Sequence, residues 1–104
     1  MENNHKHTAK KLGTYDLTEF QKKVLLATLT IRKGETRTYK DIARMIGHPD
    51  AYRAVGTALR KNPLPIKIPC HRVIKSDGSP GRYSGTSSGT RKKVALLKAE
   101  GVRI

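Results

Sequence analysis

The sequence holds a single cysteine, Cys70, which excludes an intramolecular disulfide framework and any cysteine-rich zinc site. It has no apolar run near the roughly 18 residues that span a bilayer. Its N-terminus also lacks the apolar core of a secretory signal, so a cytoplasmic protein is expected. Acids are scarce: 8 Asp and Glu stand against 22 Lys and Arg, for a formal charge of +14. Between Ala51 and Ala99 the only acid is Asp77, against eleven bases. A run this one-sided repels itself unless a polyanion is near, which makes nucleic acid the first candidate partner. The bland alternative is a generally basic solvated surface, and composition does not separate DNA from RNA. What is present, 36% apolar residues in a chain of 104, suits one small globular domain without staples.

Residues 1–15 (MENNHKHTAKKLGTY) are polar and aperiodic and read as a mobile basic arm, with residues 16–104 as the domain. His5 and His7 on that arm are read as incidental, not as metal ligands. A first helix opens near Thr18, where Thr18-Glu19-Phe20-Gln21 has the form of a capping box. Phe20, Val24, Ala27 and Ile31 follow at helical spacing, Leu25 and Leu29 widen the stripe, and Gly34 is the expected stop. Thr38 to Asp41 repeats the capping pattern before Ile42, Ala43 and Ile46, with Gly47 as stop. Asp50 is positioned to cap a third helix, Ala51 to about Arg60. There Ala51, Val55, Ala58 and Leu59 point inward, and Arg53, Thr57 and Arg60 outward. Two short helices joined by a tight connection, the second basic on its outer face, fit a helix-turn-helix.

Beyond Pro63 the chain changes character. Pro63, Pro65 and Pro69 exclude regular helix and force extended backbone before Cys70. Arg72 to Lys75 suits a short strand and Ser76-Asp77-Gly78 a tight turn. Residues 79–89 (SPGRYSGTSSG) read as a binding loop, and a last helix runs from about Thr90 to Glu100. In it Val94, Leu96 and Leu97 face inward, and Gly101 is the C-cap. No internal repeat is present.

Chemistry concentrates at Ile68-Pro69-Cys70-His71-Arg72-Val73. A free cysteine is commonly a small buried hydrophobe. Against that, Pro69 fixes the backbone, His71 and Arg72 are positive neighbours that favour thiolate, and the loop-like surroundings make the sulfur reachable. An unperturbed thiol is only about 3% thiolate at pH 7, so a basic setting raises the nucleophile several-fold. A cysteine-histidine pair is the usual way to activate sulfur.

Pro69-Cys70-His71-Arg72-Val73 resembles the active-site signature of the O6-alkylguanine-DNA alkyltransferases, the methylated-DNA-protein-cysteine methyltransferases. The resemblance runs from about Phe20 to Glu100, through Thr38-Tyr39, Arg53-Ala54-Val55-Gly56, Asn62-Pro63 and Tyr83-Ser84-Gly85. It covers that family's C-terminal DNA-binding domain. It implies a mainly α fold: a winged-helix-like helix-turn-helix domain with a short β-hairpin or strand and a C-terminal helix. It further implies a monomer that binds double-stranded DNA through the minor groove and flips the damaged nucleotide out of the stack.

In the mechanism the resemblance implies, Cys70 attacks the alkyl carbon on guanine O6 and keeps the group as a thioether, once per molecule. His71 is the base that takes the thiol proton through a water, and Glu100 orients its imidazole. Glu100 could instead be a solvated helix end. Asn62 braces the active-site turn. Tyr39 lies by the flipped base and its phosphate, where it could donate a proton to the leaving guanine or simply pack. Arg53 matches an arginine finger that fills the vacated stack, the alternative being one more phosphate contact. Ala54, Gly56 and Ala58 permit close approach to the groove, with Thr57 and Arg60 on the same DNA-facing helix. Tyr83, Ser84 and Gly85 line the guanine pocket, and the backbone carbonyls of Cys70 and Val73 read the exocyclic amine. No metal or organic cofactor is required.

The sequence departs from the family pattern in three ways. An N-terminal domain that members often carry has no counterpart here. Tyr52 stands where a small residue is expected, and Lys61 and Lys67 add charge near the active-site segment. A second reading follows from the same resemblance: a non-catalytic, alkyltransferase-like sensor that binds the lesion and recruits repair factors. Sensors of that kind usually replace the cysteine. A third reading is an ordinary helix-turn-helix regulator with an incidental thiol.

Overall fold

The computed structural model describes residues 15–63, 68–80 and 87–103. Four helices and one pair of very short strands account for the regular structure of these residues. They are α1 (Glu19–Leu29), β1 (Arg37–Thr38), α2 (Tyr39–Met45), α3 (Tyr52–Arg60), a 3-10 turn (Cys70–Arg72), β2 (Val73–Ile74) and α4 (Ser87–Ala99). The mainly α expectation holds. The strand pairs in parallel with β1, Arg37 opposite Val73 and Thr38 opposite Ile74, so it is not half of a hairpin.

Both anticipated capping boxes form. Thr18 Oγ1 accepts from Gln21 N–H at 3.1 Å while Gln21 Oε1 accepts from Thr18 N–H at 2.8 Å. Thr38 and Asp41 exchange the same two bonds at 3.0 and 2.9 Å. Each box satisfies two orphan donors of a helix start, and the second locks Tyr39 at the first position of α2. Gly47 ends that helix at φ +81°, with its N–H on the Arg44 carbonyl and the His48 N–H on that of Ala43. This is the Schellman arrangement, which needs a left-handed residue.

The strand expected over Arg72 to Lys75 is only Val73–Ile74, because Arg72 belongs to the 3-10 turn, and three helix boundaries also differ from expectation. α1 stops at Leu29, not Gly34, because the Thr30 hydroxyl and N–H both turn back onto α1 carbonyls. Asp50 does not cap α3: Ala51 is the N-cap and provides no side-chain bond. α4 begins at Ser87, three residues before Thr90. The anticipated arm lies outside the described residues, save Tyr15.

α1 packs on α2 and α3, and the 3-10 turn packs on α1 and α4. Val24, Leu25, Leu29, Ile31, Ile42, Ala43, Val55, Ala58, Leu59, Ile68, Cys70 and Val73 form one buried cluster. Ala58 is therefore core, and only Ala54 and Gly56 remain as small residues toward the outer face of α3. No helix among the described residues is long and apolar enough to cross a membrane.

Candidate active site

The site is built where the 3-10 turn meets the C-terminal end of α4. Pro69 removes a donor and directs the chain into the turn, whose first residue is Cys70. Asn62, just past α3, donates from Nδ2 to the Ile68 carbonyl at 3.0 Å and so ties the end of α3 to the segment entering the turn. β1 anchors the other side through its pairing with Val73–Ile74. Cys70 is thus held on both flanks and is 9% exposed. The expected reachable loop sulfur is in fact part of the core, because Ile68 and Val73 on either side of the turn are fully buried.

α4 ends in a second Schellman motif: Gly101 at φ +88° bonds to the Lys98 carbonyl and Val102 N–H to that of Leu97. That motif fixes Glu100 as the C-cap and directs its carboxylate at the turn. His71 Nε2 lies 3.1 Å from Glu100 Oε2. A carboxylate only accepts, so Nε2 carries the proton and Nδ1 keeps the basic lone pair. His71 is 1% exposed, and burial holds its pKa below the usual 6.5, with the Glu100 hydrogen bond pulling the other way. The imidazole is neutral at pH 7, a base and not a positive neighbour.

Arg72 is likewise not the cation expected beside the sulfur. Its guanidinium forks onto Glu100 at 2.9 and 2.7 Å and reaches the Ile31 carbonyl at 2.8 Å. A cation whose charge interacts with that of Cys70 comes instead from α4. Lys93 is 1% exposed. Its Nζ lies 3.3 Å from the Tyr39 hydroxyl and 5.5 Å from that ring's centroid. Burial lowers its pKa to about 8, and the charge of Cys70 draws it back upward. In sequence Lys93 sits in the run Arg91-Lys92-Lys93 and looks solvated; the signal available was its spacing to Leu97 and Glu100, four and seven residues on along one helix face.

Tyr39 is partly buried, and burial together with the nearby Cys70 charge raises its pKa above 10.0, so it remains a neutral phenol. With the ammonium donating to its oxygen, the phenolic proton is directed elsewhere. Cys70, His71, Glu100, Asn62 and Tyr39, chosen from sequence, thus converge with Lys93 and Arg72 around one turn. Tyr83, Ser84, Gly85 and Lys67 lie outside the described residues.

The outer face of α3 carries Arg53, Ala54, Thr57 and Arg60, all exposed, and Arg60 Nη2 donates to Thr57 Oγ1 at 3.1 Å. Tyr52, standing where a small residue is expected, is 37% exposed, with Lys40 Nζ 5.3 Å from its ring centroid. Gly56 sits in mid-helix, and an added Cβ would meet Tyr39 Cε1 at 3.8 Å and Arg60 Nη1 at 3.9 Å, ordinary contacts. Gly56→Ala is therefore expected to stabilise the fold by about 0.5–1 kcal/mol in urea melts. A loss of stability would mean that the backbone here needs glycine.

The family profile described as "6-O-methylguanine DNA methyltransferase, DNA binding domain" matches residues 19–102. A methylated-DNA–protein-cysteine methyltransferase of Methanosarcina barkeri is 53% identical over 96 residues, covering 86% of this chain and 59% of its own. The crystal structure of Mycobacterium tuberculosis OGT in complex with DNA superposes with a TM-score of 0.78 at 49% identity, over 83% of this chain and 51% of that one. S. pombe Atl1, solved with damaged DNA containing O6-carboxymethylguanine, gives 0.76 at 36% identity and is covered over 82% of its length, against 86% of this chain. The chain spans little more than half of the first two proteins and most of the third. With the profile running from the first residue of α1 to the residue that closes the motif around Glu100, the chain belongs to the 6-O-methylguanine DNA methyltransferase family, of which it carries the DNA-binding domain.

Proposed function

We propose that this domain repairs O6-alkylguanine in double-stranded DNA by transferring the alkyl group irreversibly to Cys70. The observation that carries the reading is the lone cysteine on one turn with a neutral His71, backed by Glu100 at 3.1 Å and with the Lys93 charge acting on the sulfur. A solvated helix end does not account for a Glu100 whose carboxylate is 14% exposed and bonded to two residues of that turn.

The chemistry balances within these groups. The Cys70 proton passes to His71, by way of a water, and Glu100 holds the imidazole while it is charged. The thiolate attacks the alkyl carbon; the sulfur–carbon bond forms as the carbon–O6 bond breaks, and the electron pair stays on guanine. Tyr39 returns a proton to the leaving base. The thioether carbon has no route off, so each molecule acts once. α3 enters the groove, and Arg53 fills the stack that the flipped nucleotide leaves. Extrusion costs a few kcal/mol. Arg53→Ala is therefore expected to slow repair about 100-fold while changing affinity for undamaged DNA only few-fold; equal losses would reduce Arg53 to a phosphate contact.

The test is intact-protein mass after incubation with an oligonucleotide bearing O6-methylguanine. One methyl group gained per molecule, and none in Cys70→Ala, is the expected result. The second reading, a lesion sensor without chemistry, is favoured by one observation, the match over 82% of the length of Atl1. Tight lesion binding with unchanged mass would establish it and overturn the first.

A further inference from the structure

Arg72 has no part in the scheme above, yet it makes three charge-assisted or carbonyl bonds in a desolvated setting. Its Nε and Nη2 take both oxygens of Glu100, its Nη1 takes the Ile31 carbonyl, and the two side chains are 15% and 14% exposed. This is not a solvent-screened surface pair. Glu100 Oε2 is shared: it accepts from Arg72 at 2.7 Å and from His71 at 3.1 Å. Ile31 lies two residues beyond the end of α1, so the guanidinium joins α1, the 3-10 turn and the cap of α4. The loop after α1 closes on the same place, for a Cβ on Gly34 would stand 3.4 Å from the Glu100 carbonyl.

A carboxylate that faces only an imidazole stabilises its charged form strongly. One already neutralised by a guanidinium does so far less. We propose that Arg72 is the positioning residue of the proton-transfer pair: it fixes Glu100 against His71 Nε2 and offsets enough of the carboxylate charge that the imidazole stays uncharged and able to take a proton. The charged groups acting on His71 are Glu100 and Lys93 from α4 and Arg72 from its own turn, while α1 contributes to the cluster through the Ile31 carbonyl. Arg72 and Lys93 oppose protonation of the ring and Glu100 favours it. Removing Arg72 leaves Glu100 paired with the imidazole alone.

The consequence for rate rests on the alkyl-transfer reading, but the charge balance is measurable without DNA. The His71 ring is titrated by NMR in the free protein as wild type, Arg72→Gln and Arg72→Lys. In Arg72→Gln the midpoint is expected to rise by about one pH unit. In Arg72→Lys, which keeps the charge and loses the fork, it is expected to stay close to wild type. The acid limb of the alkylation rate is expected to move with the midpoint, whereas a merely structural loss would lower the rate at every pH without moving it. Arg72→Met serves where the glutamine variant does not fold, with the same outcomes. A midpoint that stays or falls in the folded neutral variant overturns the assignment. If wild type takes no methyl group, the alkyl-transfer reading fails while the titration still decides the role of Arg72. If wild type reacts and the midpoint does not move, the role of Arg72 alone is lost.

Discussion

Lys93→Met is expected to stabilise the domain below about pH 8 and, at the same pH, to slow alkyl transfer to Cys70. The ammonium is 1% exposed, and burial lowers its pKa from 10.5 to about 8. Below pH 8 both folded and unfolded chains carry the proton, so the full desolvation penalty weighs on the fold. Between about 8 and 10.5 only the unfolded chain holds the proton, and stability climbs with pH as the penalty is relieved. A depression of that size corresponds to about 3 kcal/mol, an upper value for what an apolar side chain of similar length recovers. Urea melts at pH 7 and pH 10.5 are the check: the variant gains at the first and matches wild type at the second. The opposite effect falls on chemistry. Without the ammonium Cys70 loses the charge that favours thiolate, and the rate of methyl uptake at pH 7 is expected to drop about tenfold or more. A variant less stable than wild type at pH 7, or a gap that ignores pH, would show that Lys93 is buried for structural reasons. A lysine kept at such a cost is the mark of a functional group.

Lys93 also marks the limit of what the sequence makes legible. Local signals carried through: Thr18 and Thr38 cap as their spacing to Gln21 and Asp41 requires, and Gly47 and Gly101 adopt the left-handed angles that end helices. These depend on neighbours three or four residues away. The pair α2 and α3 is legible for the same reason, whereas the turn at Cys70 is not, since the prolines before it predict only extended backbone. Charge is not legible in the same way, because its effect depends on burial. His71 and Arg72 adjoin Cys70 in sequence, but one is neutral and the other points to Glu100, 28 residues on, and to Ile31, 41 residues back. Lys93, distant in sequence and surrounded by solvated bases, supplies the cation. The parallel pairing of Arg37 with Val73 joins segments that carry no pairing signal, since strands of two residues have no periodicity to read.

Glu100→Gln is expected to have the opposite effect on stability and the same direction on rate. The carboxylate accepts from Arg72 Nε and Nη2 and from His71 Nε2, and an amide has one acceptor oxygen and an NH2 that faces donors. Leaving a largely buried guanidinium without its counter-charge is expected to cost about 2–4 kcal/mol at pH 7. The dependence on pH has a definite sign. The hydrogen bonds from Arg72, ahead of those from His71, hold the Glu100 pKa below the usual 4.5. Its contribution is therefore complete above pH 4.5 and is lost as pH falls through the lower folded value, so wild type and variant converge in acid. At neutral pH the imidazole stays uncharged but loses the acceptor that fixes its tautomer and stabilises its charged form, and methyl uptake is expected to fall about 100-fold. Lys93 and Glu100 sit on one face of α4, yet neutralising the first strengthens the fold and neutralising the second weakens it. Melts of both variants at pH 7 separate the two cases: a cation held near Cys70 against the interest of stability, and an anion that serves stability and proton transfer together. Two variants that moved stability in the same direction would contradict the electrostatic account of the site.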